Sequence, residues 1–133
     1  MGGSNDILLD KDFSAVCRNM ESLVSLLKSQ EEPVYIGIPP LTKSESAYYG
    51  WQEAGAVHRH NEILRRYRQW LLDYSANMDC TVIDFYQALL DGEEASGKPL
   101  YADGVHPNAE ATPFCRSGTE GAGGKGLIPH FLS

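Results

Sequence analysis

At 133 residues, 42% of them hydrophobic and 22% charged, the chain has the composition of one folded domain with its own core. Its net charge of −7 and pI near 4.9 argue against a nucleic-acid or anionic-membrane surface, each of which needs a basic face. No apolar run is long enough to span a bilayer, and the first residues lack the pattern of a signal peptide.

The opening Gly3-Ser4-Asn5-Asp6 precedes any periodic segment and reads as a loop. From Phe13 to Leu27, the positions Phe13, Val16, Met20, Leu23, Val24 and Leu27 predict a helix, with Asp12 at its N-cap and Pro33 beyond its end. Val34 to Ile38, inside "PVYIGIPP", is a short apolar run suited to a strand buried on both faces. Leu41 to Ala56 is a mixed loop whose Tyr48, Tyr49 and Trp51 suit either a pocket wall or packing against a sheet. A second helix is predicted over Val57 to Asn77, from the stripe Val57, Leu64, Tyr67, Leu71, Tyr74 and Met78. Arg59, Arg65, Arg66 and Arg68 lie on it near Glu62 and Asp73, as a solvated helix face does.

"CTVIDF", Cys80 to Phe85, is a second candidate for a buried strand, and a brief amphipathic piece follows from Tyr86 to Leu90. Helix, strand, helix and strand in this order predict an α/β fold with a parallel sheet and right-handed crossovers. After Glu110 the periodicity ends. Pro113 is expected to interrupt any helix, and "GTEGAGGKG" holds five glycines in nine residues. The expected division is therefore a domain over 1–111 and an irregular glycine-rich tail over 112–133.

Chemistry concentrates in "YADGVHPNAE", Tyr101 to Glu110. A histidine acting as a directed base needs a carboxylate on one ring nitrogen, and Asp103 and His106 stand three apart across a glycine turn. Pro107 suits the first turn of a following helix. Alone, the pattern is better explained by an aspartate capping a turn beside a surface histidine. At the other end, the Asn5 amide could donate to a developing oxyanion if its loop lies at the ligand-binding end of the sheet.

Together, Gly3-Ser4-Asn5-Asp6 and Asp103 to His106 resemble the G-x-N-D and D-x-x-H blocks of the SGNH hydrolases, also called the GDSL esterase/lipase family. The resemblance covers roughly Met1 to Glu110. It implies a flavodoxin-like α/β/α sandwich and hydrolysis of acyl or acetyl esters through an acyl-serine, without a cofactor or metal. Carried over by position, Asn5 is an oxyanion-hole donor, His106 the general base, and Asp103 the carboxylate that orients it.

The family's G-D-S block, with its nucleophilic serine, and its oxyanion-glycine block have no counterpart here. Ser4 fills the variable position of G-x-N-D, and Ser117 lies in the tail with no strand before it. A regular terminal helix should follow the histidine block in the family, and the tail departs from that. The expectation is thus a partial sandwich lacking the N-terminal strands: the C-terminal part of an ester hydrolase, inactive alone. The alternative is a non-catalytic fragment or interaction module with a hydrolase-derived fold.

Two strands leave sheet edges open, so a dimer or an element-swapped assembly is expected alongside a small-molecule ester as substrate. His58 and His60 fall on different faces of the second helix, which argues against a metal site. "GTEGAGGKG" lacks the first glycine and the final Ser/Thr of a phosphate loop. Cys17, Cys80 and Cys115 are odd in number and widely spaced, as free thiols in a reducing, cytoplasmic setting would be.

Overall fold

Apolar side chains three and four residues apart build the two long helices that cover the sheet. The computed structural model describes residues 3–31, 33–115 and 130–131. Helix α2 (Phe13–Ser29) buries Val16, Cys17, Met20 and Val24, as its periodicity predicts. Asp12 occupies its N-cap position but makes no side-chain cap bond. Strand β1 (Val34–Ile38) is buried at every residue, and the buried Pro39 and Pro40 end it. Helix α4 (Val57–Met78) lays Leu64, Tyr67 and Leu71 against α2 and β1. Ile36, Ile38, Val24, Tyr67 and Leu71 are fully enclosed, so truncating one of these aliphatics to alanine costs about 2–5 kcal/mol.

Strand β2 (Thr81–Asp84) pairs parallel with β1, Ile36 opposite Val82 and Ile38 opposite Asp84. On the other edge of β1, β3 (His130–Phe131) pairs parallel with Val34 and Tyr35, giving the order β2-β1-β3 among the described residues. The fold is α/β with a small parallel sheet, as expected. Of the 112–133 segment, residues 116–129 and 132–133 lie outside the described residues, Ser117 and the glycine run with them.

Several local expectations are corrected. Ser4 to Leu8 is not a loop but a short helix, α1 (Ser4–Leu8), which buries Ile7 and Leu8 against α2 and α4. Gly3 starts it at φ 95°, where a Cβ would fall 2.6 Å from the Tyr67 hydroxyl, so only glycine fits. The Leu41–Ala56 segment contains α3 (Glu45–Tyr48) and a 3₁₀ turn at Ala54–Ala56. Strand β2 lies at an edge of the described sheet, so Ile83 alone is buried where a fully buried strand was expected. The amphipathic piece is longer than its pattern, forming α5 (Phe85–Ser96), capped by Asp84 accepting from the Gln87 N–H at 3.1 Å. Pro113 does not interrupt a helix either: residues 112–115 are helical, and a proline in the first turn breaks no intrahelical bond. The arginine face of α4 is solvated as expected, with Arg59, Arg65 and Arg66 exposed, and it also carries ion pairs, Arg59 with Asp10 at 3.0 Å and the half-buried Arg68 with Asp84 at 2.7 Å.

Candidate active site

The turn at Asp103–His106 is built from its own backbone. Tyr101 and Pro107 face each other as an antiparallel bridge, and Ala102 N–H donates to the His106 carbonyl at 2.8 Å. Gly104 closes the turn at φ 83°, and its carbonyl accepts from Lys43 N–H at 2.8 Å. A Cβ there would lie 2.4 Å from the Ser46 backbone nitrogen, so the turn rests directly on the Lys43–Ser46 segment. The Tyr101 hydroxyl ties the same hairpin to the Leu41 carbonyl at 2.6 Å.

Four donors converge on the Asp103 carboxylate. Oδ1 accepts from Val105 N–H at 2.9 Å and His106 N–H at 2.7 Å. Oδ2 faces His106 Nδ1 at 2.7 Å and accepts from the Trp51 indole Nε1–H at 2.8 Å. Burial works against the Asp103 charge, but the His106 backbone N–H, the His106 ring and Val105 N–H outweigh it and hold the carboxyl at about 2 against an ordinary 3.8. An ionised Asp103 can only accept, so the proton on this contact sits on His106 Nδ1. In the neutral ring Nε2 is thereby left as the acceptor, and no described residue bonds to it. The Trp51 ring also meets the His106 ring edge-on, with centroids 5.0 Å apart.

Trp51 thus bonds the Asp103 carboxylate and packs on the His106 ring. It buttresses the pair. Sequence reasoning had no means of finding this, because the contact spans 52 residues. Tyr48 and Tyr49 stack edge-on with each other on the surface, Tyr48 being 88% exposed.

Asn5, in the first turn of α1, and His106 line one cavity of about 230 Å³, together with Ser4, Leu8, Pro39, Pro40, Thr42, Leu64 and Val105. It opens where β1 ends, the end of a parallel sheet at which ligands bind. Asn5, Asp103 and His106, the residues singled out from sequence, are therefore brought together despite about a hundred intervening residues. Helix α1 supplies the amide and the Tyr101–Pro107 turn the imidazole, and Leu8, Pro39, Pro40, Leu64 and Val105 give the lining its apolar part.

His58 is exposed and His60 buried, on different faces of α4. Among the described residues no group of three or more histidines, cysteines or acids is arranged to hold a metal ion, and no helix is long and apolar enough to cross a membrane. Cys17 and Cys80 are free, and burial raises the thiol pKa of Cys17, Cys80 and Cys115.

A family model described as the GDSL-like Lipase/Acylhydrolase family matches residues 1–112. Among solved structures, the chain is similar to a member of the lipolytic protein G-D-S-L family from Veillonella parvula DSM 2008, at 26% identity and a TM-score of 0.69. That match covers 91% of this chain and 59% of the Veillonella chain, so this chain spans under two thirds of the other's length. No curated protein matches it.

Proposed function

The chain belongs to the GDSL-like lipase/acylhydrolase family, and on that premise we propose that it supplies the proton-handling and oxyanion-binding side of an ester-hydrolysing site. One observation carries the reading. A carboxylate-bound imidazole and an asparagine amide share one small cavity at the end of β1.

His106 Nε2 is the general base. It takes the hydroxyl proton as a nucleophilic oxygen attacks the ester carbonyl, while Asp103 holds Nδ1–H and stabilises the imidazolium that forms. The Asn5 amide donates to the carbonyl oxygen as it becomes an oxyanion. The tetrahedral intermediate collapses, His106 returns the proton to the leaving alcohol, and water repeats the cycle on the acyl-enzyme. Leu8, Leu64, Pro39 and Pro40 in the lining suit a short acyl or acetyl group.

The nucleophile belongs to a Gly-Asp-Ser block, which these 133 residues do not contain. Ser4 lines the cavity but fills the variable position of the Asn5 motif, and it is not assigned that role. A fluorophosphonate label followed by mass spectrometry tests the assignment: the chain alone should remain unlabelled at serine. A labelled Ser4 whose modification requires His106 would overturn it.

A further inference from the structure

Behind the dyad lies a chain of buried polar groups that the reaction scheme does not use. His60, on α4, is 1% exposed. Its Nδ1 is 2.5 Å from Gln52 Oε1, and its Nε2 is 2.8 Å from Asp10 Oδ1. Gln52 Nε2 donates to the hydroxyls of Thr42 at 2.8 Å and Ser46 at 2.7 Å.

The direction of every bond in this chain follows from the backbone. Thr42 N–H donates to Asn61 Oδ1 at 2.8 Å and Asn61 Nδ2 donates to the Thr42 carbonyl at 2.9 Å, which fixes the Asn61 amide. Asn61 Oδ1 can only accept, so the Thr42 hydroxyl spends its proton there, at 2.8 Å. The Ser46 hydroxyl spends its own on the Lys43 carbonyl at 2.6 Å. Both hydroxyls must then accept from Gln52, which turns its NH₂ toward them and its carbonyl toward His60. His60 Nδ1 therefore carries a proton.

Nε2 carries one as well. Asp10 Oδ1 lies 2.8 Å away, and this exposed carboxylate, paired with Arg59 at 3.0 Å, can only accept. Arg59 Nη2 also lies 3.5 Å from Nε2, but a bare nitrogen there would set two lone pairs face to face at the shorter contact.

Each end of this chain leads to the cavity. Asp10 closes the turn after α1, the helix that carries Asn5; its N–H donates to the Ile7 carbonyl at 3.0 Å. Gln52 follows Trp51, whose indole holds Asp103, and Ser46 lies directly beneath Gly104.

We infer that His60 is a positioning residue: donating through both ring nitrogens, it locks the Lys43–Gln52 segment and the turn after α1 to α4, and so sets Trp51 against Asp103 and α1 against the dyad. The use of this placement rests on the hydrolytic reading above; the placement itself does not. An apolar replacement of the ring leaves the buried Gln52 carbonyl without its donor, while the exposed Asp10 keeps Arg59 but loses its tie to α4.

Nitrogen-15 NMR of the full chain tests it without requiring turnover. In the unmodified protein both His60 ring nitrogens should appear protonated in a long-range proton–nitrogen correlation. The Trp51 indole N–H then reports the site, with Trp70, packed between Tyr67 and Tyr74, as the internal control. Asp103→Ala marks the resonance of Trp51 without its acceptor. His60→Ala should move Trp51 at least half of that distance while Trp70 holds. Asp10→Gly, a mild exposed change at a positive-φ position that glycine adopts freely, should move it the same way by less. A bare His60 nitrogen, or a Trp51 resonance unmoved in folded Asp10→Gly and His60→Ala, overturns the inference. Absent ester turnover after addition of a segment carrying a Gly-Asp-Ser block, with these shifts intact, would instead defeat the hydrolytic reading and leave this one standing.

Discussion

Trp51 and His106 meet on the same carboxylate oxygen: the indole N–H reaches Asp103 Oδ2 at 2.8 Å and the imidazole Nδ1 at 2.7 Å. A tryptophan from the α3 loop therefore shares the anion on which the histidine depends. A hydrogen bond to the ionised form favours that form, so Trp51→Phe should raise the Asp103 pKa above about 2. It should also cost about 1.5 kcal/mol of stability, the low end for a bond to a charged group. Carbon-13 titration of the Asp103 carboxyl and urea melts read the two effects.

Acid should act through the same residue. Asp103 titrates near 3.8 when unfolded and at about 2 when folded, so its contribution is fully present above pH 4. As pH falls through about 2 that contribution is lost. The stability gap between the wild-type chain and Asp103→Asn should stay constant from pH 7 to 5 and close between pH 4 and 2. Thermal melts across that range would show a constant gap at all pH values if Asp103 were not held ionised by its donors.

Gly104 and Gly97 offer a matched comparison. Both have positive φ, at 83° and 66°, but a Cβ on Gly97 would meet nothing within 4 Å, whereas one on Gly104 would strike the Ser46 backbone. Gly97→Ala should lose about 1 kcal/mol from backbone strain alone. Gly104→Ala should lose clearly more and shift the His106 ring resonances. Equal denaturation midpoints for the two would mean that the turn does not rest on Ser46.

Which features were legible in the sequence follows from how local their causes are. Helices α2 and α4 and strand β1 lie where their apolar spacing puts them, because each is long or apolar enough to outweigh its flanks. Helix α1 was hidden: five residues carry no readable period, and its formation depends on Tyr67 meeting Gly3 and on burial of Ile7 and Leu8. The Asp103–His106 contact was legible because the partners are three residues apart and bonded within one turn. The His60–Asp10 and Trp51–Asp103 contacts span about fifty residues each and were not. Nothing local marks a buried histidine on an otherwise polar stretch of helix.

Self-association is a further expectation. In the order β2-β1-β3, the outer edge of β2 has no strand beside it among the described residues, and Thr81 on it is exposed. Unpaired edge groups favour pairing with a second chain. Sedimentation should show a concentration-dependent dimer; a single monomeric species across a hundredfold dilution range would contradict it.

The most direct measurement is hydrolysis of a nitrophenyl acetate ester by the chain, alone and mixed with a separately expressed segment carrying a Gly-Asp-Ser block. Alone, the chain should show no turnover above the background of a surface histidine, since loss of a triad nucleophile costs on the order of 10⁶ in kcat in subtilisin. With the segment added, turnover should appear, be abolished by His106→Ala, and fall about 10²–10³-fold in Asn5→Ala, the usual effect of losing one oxyanion donor. Turnover in the mixture that is indifferent to both substitutions would contradict the assignment of His106 as base and Asn5 as oxyanion donor.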